Sequence, residues 1–188
     1  MKNLLKTIMV AVAALVTLGA CAQKTTTETK GDNMQKKSIV VYFTHSNNTG
    51  LAAQQLAELT GSKLVRITPT EPYSTEDLDW TNEQSRCTQE HLNQTLRPAI
   101  NPLDVNFSEY DTVFIGFPIW WHEEPAVIRT FLDQTDLKGK KIYPFCTSYE
   151  SPMSEADSTL QKGYPDLKWH TGLRFPANKK QIEKWINR

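Results

Sequence analysis

The stretch Val40–Leu56, VVYFTHSNNTGLAAQQL, decides how this chain reads. Its apolar start belongs to a run, Ile39 to Phe43, with no polar alternation. A strand apolar on both sides must be covered on both sides, which is the condition of a parallel sheet. From Leu51 to Leu59, Ala52, Leu56 and Leu59 recur at helical spacing. Between strand and helix lie Thr44, His45, Ser46, Asn47, Asn48 and Thr49, with no Lys or Arg. The first backbone N–H groups of a helix lack intrahelical partners and sit at the positive end of its dipole. With hydroxyls and amides added, the junction becomes a nest of neutral donors for one phosphate. The absence of GxxxxGK[ST] argues against a P-loop NTPase. A plain Asn/Ser helix cap is the competing reading of the same residues.

Working outward, the pattern repeats. Lys63 to Thr68 reads as a second strand, and Pro72 to Arg97 is polar and helical in part. Val113 to Phe117 is a third, all-apolar strand ended by Pro118. Pro125 opens a helix with Ile128, Phe131 and Leu132 on one face. Lys141 to Cys146 is a fourth strand, in which Pro144 removes a ladder donor and predicts a bulge or irregular pairing. Ser151-Pro152 reads as a helix start, Leu167 to Phe175 as a fifth strand and Lys179 to Trp185 as a last helix. Strands alternating with helices predict an α/β domain with a parallel sheet and helices on both faces. Ligands of such sheets bind beyond the carboxyl ends of the strands, where the winding reverses. The loops after strands one, three and four are therefore the candidates.

The loop after strand three reads Gly116-Phe117-Pro118-Ile119-Trp120-Trp121-His122-Glu123-Glu124-Pro125. Neighbours in sequence point different ways, so one of the two Trp rings is free to face a flat aromatic ligand; packing of both under the next helix is the alternative. His122, Glu123 and Glu124 do not share a helix face, so they read as a solvated, helix-starting acidic pair beside a histidine rather than an acid–base or metal site. The loop after strand four, Cys146-Thr147-Ser148-Tyr149-Glu150-Ser151, is polar with one aromatic residue that could cover the other side of a planar ligand.

The beginning of the chain has a different character. Lys2 and Lys6 are followed by an apolar run, Thr7 to Leu18, short for a membrane span and of signal-peptide length. Leu18-Gly19-Ala20-Cys21 resembles the lipobox of bacterial lipoproteins. That resemblance implies a signal peptide over residues 1–20, a lipid on Cys21 and a mature chain anchored to a membrane outside the cytoplasm without spanning it. Residues 21–37 are polar and Thr-rich and read as a flexible tether, leaving one domain at 38–188. The chain has 21 basic and 21 acidic residues; without Lys2 and Lys6 the balance is 19 against 21, a net charge of −2. No basic stripe offers a footprint for nucleic acid. Besides Cys21 there are Cys87 and Cys146, read as two small half-buried residues or one disulfide. No CxxC and no His/Cys set at zinc spacing appears.

Thr44-x-Ser46-x-Asn48-Thr49 is similar to the phosphate loop of flavodoxins, [ST]-x-[ST]-G-x-T; GFPIWW followed by EPAVIRTFL, and KKIYPFCTS, resemble the third-strand loop and fourth strand of flavodoxin-like FMN proteins that carry the Trp pair. The resemblance covers Ser38 to about Asn187. It implies a flavodoxin-like three-layer sandwich with a five-stranded parallel sheet in the order 2-1-3-4-5. It also implies FMN, with Thr44, His45, Ser46, Asn47, Asn48 and Thr49 at the phosphate. Pro118, Ile119, Trp120 and Trp121 would line the flavin ring, and Thr147, Ser148 and Tyr149 its other edge. Asn47 stands where the family commonly has Gly, and Asn tolerates a left-handed backbone next best. His122 also stands where relatives often have Gly. The third loop, Tyr149-Glu150-Ser151-Pro152, departs from a Gly-rich pattern.

Two functions follow as expectations. One is a membrane-tethered FMN protein that passes electrons to a protein partner or reduces a small acceptor such as a quinone, with the flavin doing the chemistry. Whether it is an enzyme stays open, since no residue reads as a catalytic acid or base. The other is a lipid-anchored binding or interaction module that keeps the shape without redox chemistry. No twin Arg appears near the start, which implies export unfolded and acquisition of FMN outside.

Overall fold

The computed structural model describes residues 37–187. The expected signal peptide, the lipidated Cys21 and the tether up to residue 36 lie outside the described residues. The elements are β1 (Ser38–Tyr42), α1 (Asn48–Thr60), β2 (Lys63–Arg66), α2 (Arg86–Leu92), β3 (Thr112–Pro118), α3 (Ala126–Gln134), β4 (Lys141–Thr147), α4 (Met153–Gly163), β5 (Lys168–Trp169), β6 (Leu173–Phe175) and α5 (Lys179–Ile186). Single 3₁₀ turns occupy Glu76–Leu78 and Phe107–Glu109.

All strand pairs are parallel, in the order β2-β1-β3-β4-β5, with β6 also paired to β4. This is the flavodoxin-like order that the resemblance implied. Alternation along each strand divides the core in two. Ile39, Val41, Val113, Ile115, Phe117 and Ile142 face α3 and α4, meeting Val127, Ile128, Phe131, Met153 and Leu160. Val40, Phe114, Tyr143 and Phe145 face α1 and α5, meeting Ala53, Leu56, Ile182 and Trp185. Helices therefore cover both faces of continuously apolar strands, as a parallel sheet demands. Phe117, Phe131 and Phe145 are fully buried, each favouring the fold by about 1.5–3 kcal/mol over an exposed ring.

Three local details need separate account, the first being that the irregular pairing expected at Pro144 is present on one edge of β4 only. Pro144 sits in unbroken register with Ile115 of β3, so no bulge forms on that side. The irregularity appears on the other side. Ile142 pairs with Trp169 and Phe145 with Leu173, so Tyr143 and Pro144 oppose three residues, 170–172. The Ile142 carbonyl accepts from His170 N–H at 2.8 Å, so that edge is the one Pro144 leaves without a donor. The expected fifth strand is thereby split into β5 and β6. The second difference is at Leu59, which is partly exposed; α1 buries Ala52, Ala53, Leu56 and Ala57 instead. The third is at α4, which begins one residue late, with Pro152 rather than Ser151 at the cap position.

Cys87 and Cys146 are buried free thiols. Burial pushes the Cys146 thiol up to about 12. Among the described residues no helix is long and apolar enough to cross a membrane.

Candidate cofactor-binding site

Thr44 to Thr49 carry the chain from β1 into α1. Asn47 sits just before the helix with φ 69° and ψ −3°, in the left-handed region, and its side chain makes no cap bond. The first intrahelical bond from this end is Leu51 N–H to the Asn47 carbonyl, 3.0 Å. The N–H groups of Asn48, Thr49 and Gly50 therefore precede the helix's own ladder. The Thr49 hydroxyl is buried and lies 2.8 Å from the Thr147 hydroxyl at the end of β4. Arg66 donates to the Thr44 carbonyl at 3.1 Å and fixes the loop from outside. The Thr44 hydroxyl is buried without any partner. A buried hydroxyl left unpaired costs about 1–3 kcal/mol, and an anion at this helix start would repay it. His45, Ser46, Asn47 and Asn48 are exposed at the mouth. The donor set fits a phosphate monoester: backbone N–H groups, three hydroxyls and no metal ligand.

The β3–α3 connection is a tight hairpin. Trp120 and Glu123 exchange two backbone bonds, both 3.0 Å, around Trp121 (φ 53°) and His122 (φ 65°). A two-residue turn of this kind needs positive φ at both central positions and favours Asn-Gly. Non-glycine residues pay about 1–2 kcal/mol each to adopt it. Neighbouring contacts hold them there. The Trp121 ring stacks on His91 of α2 at 4.9 Å and an interplanar angle of 10°. The His122 ring is 2.6 Å from the Glu155 carboxylate in the first turn of α4. Trp120 instead packs its ring edge-on against Phe43 and Tyr73, joined to the core. The two Trp rings thus part ways, one toward the core and one toward α2.

Glu123 and Glu124 are not the solvated pair expected. Glu123 accepts from Gln94 at 2.7 Å and lies 2.9 Å from a ring nitrogen of His91. Glu124 is buried, accepts from the Thr159 hydroxyl at 2.7 Å and lies 3.7 Å from buried Arg129. Burial pushes the Glu124 carboxyl above its usual range, opposed by the Thr159 bond. The turn points both carboxylates back toward α2, α3 and α4, where Arg129, His91, Gln94 and the Thr159 hydroxyl meet them. The pair ties the hairpin down.

Thr147 and Ser148 are half-buried, and the Ile119 N–H donates to the Thr147 carbonyl at 3.0 Å, bringing two of the loops together. Tyr149 is 96% exposed and covers nothing within the chain. Two clefts meet along a wall of Ser46, Pro118 and Ile119. One, of about 540 Å³, runs beside the start of α1 past Asn48, Thr147 and Tyr149. The other, of about 530 Å³, is bounded by His45, Trp120, Trp121 and His122 on one side and by Leu78, Trp80 and Cys87 on the other. Those last three, with His91, were missed by the sequence reading. Their only signal was a Trp and a Leu in an otherwise polar segment.

This architecture defines a nucleotide-sized site at the carboxyl edge of a doubly wound sheet. The sequence matches the family profile described as Flavodoxin over residues 37–188, and the chain belongs to that family. A solved structure designated a flavoprotein, from Bacteroides eggerthii, is 40% identical; the match covers 80% of this chain and 96% of that one, with a TM-score of 0.79. A flavoprotein from Lactobacillus acidophilus, solved in complex with FMN, is 22% identical over 80% of this chain and 99% of its own, with a TM-score of 0.67, which speaks for the fold. The curated relative YcaK of Escherichia coli, named an NAD(P)H oxidoreductase, is 19% identical over 54% of this chain; the match spans about half of YcaK, 53%. Membership of the flavodoxin family supports FMN as the cofactor.

Proposed function

We propose that this chain is an FMN-binding redox protein that passes electrons to a protein partner or to a small acceptor such as a quinone. One observation carries it. In the loop that leads to the uncapped start of α1 the buried Thr44 hydroxyl has no partner, and the first turn of that helix is tied to the end of β4 by the Thr49–Thr147 hydroxyl pair. A neutral chain of donors in that place suits one dianionic phosphate, and little else would stabilise it. The flavodoxin family and the FMN-bound Lactobacillus relative support the choice of nucleotide.

FMN, when bound, supplies one- and two-electron chemistry. The protein's own residues divide the remaining work. Thr44, Ser46, Thr49 and the first amides of α1 would hold the phosphate, with Asn47 setting the backbone. Pro118, Ile119 and the Trp120–Trp121 hairpin would flank the ring on one side, Thr147 and Ser148 on the other. The strained hairpin, pinned by Glu123, Glu124 and His122, keeps that flank in place. The lipobox-like Leu18-Gly19-Ala20-Cys21 supports a lipid anchor on Cys21 and a place in the cell envelope.

A binding module without redox chemistry is the rival reading, favoured by the fully exposed Tyr149 in a loop that covers nothing. Adding purified protein to FMN separates the two. The redox reading predicts quenched flavin fluorescence at one equivalent and a bound flavin that is bleached by dithionite and recovered by a quinone. Unquenched FMN at micromolar protein would favour the module.

A further inference from the structure

A cavity of about 380 Å³ lies apart from the proposed cofactor site and shares no residue with either of its clefts. Helix α2 takes part in both places with different residues. Cys87 borders the cofactor side, while Arg86, Gln89 and Glu90, neighbours at helical spacing, line the separate cavity. Leu96, Arg97, Pro98 and Ala99, from the segment after α2, complete most of its wall.

Two guanidinium groups edge this cavity, and both are fixed in place. Arg86 donates from Nε to Glu90 at 2.9 Å and from Nη1 to the Glu71 carbonyl at 2.8 Å, and it lies 4.0 Å over the Tyr73 ring. Arg97 donates from Nε to Asp133 and from Nη1 to the carbonyls of Gln94 and Leu96, at 2.8 and 3.0 Å. Among the described residues, Nη2 of each is left without a partner. Arginines on a surface ordinarily keep their rotamer freedom and lose it on binding. Here that order exists in advance, so a ligand meets two preset donors.

The remaining lining narrows the ligand. Glu90 is buried and already taken, by Arg86 and by the Tyr73 hydroxyl at 2.6 Å. Glu71 is exposed at the rim, where water screens it. The free donors are therefore cationic and planar, which suits a carboxylate. Leu96, Pro98 and Ala99 offer the occupant an apolar wall, which an inorganic anion would not use.

We infer that the cavity between Arg86 and Arg97 is a binding site for a small organic carboxylate. Its carboxylate bridges the two free Nη2 groups, and its aliphatic chain lies along Leu96, Pro98 and Ala99. The site is independent of the flavin reading.

The test is calorimetric titration of the purified protein with hexanoate, butyrate, hexanamide and inorganic phosphate. Hexanoate should bind at one site. Butyrate, two methylenes shorter, and hexanamide, without the charge, should each bind about tenfold more weakly, and phosphate more weakly still. Arg97→Gln should weaken hexanoate about tenfold, with Arg97→Lys recovering only part of the loss, while the thermal midpoint and FMN affinity stay as in the parent. No binding of hexanoate at millimolar concentration would overturn the assignment. So would hexanamide or phosphate binding as well as hexanoate, or an Arg97→Gln variant that binds as the parent does. Competition between FMN and hexanoate would move the ligand to the cofactor clefts and overturn it as well.

Discussion

The hydroxyls of Thr49 and Thr147 lie 2.8 Å apart, joining the first turn of α1 to the end of β4 across 98 residues of sequence. The contact holds the β1–α1 loop, the proposed phosphate loop, against the loop after β4 before any ligand arrives. A site assembled in this way loses less on binding than one that must be ordered by its ligand.

Asn47 should behave as a backbone residue. With φ at 69° it holds a conformation that ordinary side chains adopt at about 1–2 kcal/mol, while Gly adopts it freely. Asn47→Ala should lower stability by about 1 kcal/mol and weaken FMN, whereas Asn47→Gly should preserve both. Thermal denaturation and flavin titration of the two variants check this; equal behaviour of Ala and Gly would contradict it.

Gly116 has a packing role. A β-carbon there would lie 2.2 Å from Cζ of the Phe145 ring, which is fully buried against the α1 face. Gly116→Ala must displace that ring or the strand, and should cost about 1–3 kcal/mol in denaturant unfolding. Phe145→Leu in the same background should restore part of the loss, since it removes the ring the methyl strikes.

Asp157 predicts a pH dependence. It is buried on α4, accepts from Gly172 N–H at 2.8 Å and has one oxygen without a partner. Burial raises its pKa, with the Gly172 bond opposing. A raised carboxyl binds its proton more tightly in the folded state, so its penalty is absent below the unfolded value of about 3.9 and grows as pH rises through the folded value. Asp157→Asn keeps an acceptor for Gly172. Its stability relative to the parent should therefore be higher at pH 7 than at pH 4. A difference independent of pH would refute the burial argument.

The parts legible in sequence were those set by local rules. Two-sided apolar strands forced the parallel sheet, and the run of neutral donors between Phe43 and Leu51 located the helix start. What escaped depended on contacts distant in sequence. Glu123 and Glu124 read as solvated because His91 and Thr159, which receive them with Arg129 of the next helix, lie on helices more distant in sequence. Trp80 stood in a polar segment with no periodicity to assign it, and the ring beside it, Trp121, comes from a turn far along the chain. Pro144 announced an irregularity, but which edge of β4 would carry it depended on the direction of its missing donor.

The central claim is that uncharged donors at the head of α1 grip a phosphate. Titration of FMN against riboflavin, on the parent protein and on the Ser46→Ala, Thr49→Val double variant, tests it most directly. The parent should bind FMN far more tightly than riboflavin, and the double variant should lose FMN affinity by about tenfold or more while riboflavin changes little. Equal losses for both ligands, or a parent that does not distinguish them, would contradict the assignment.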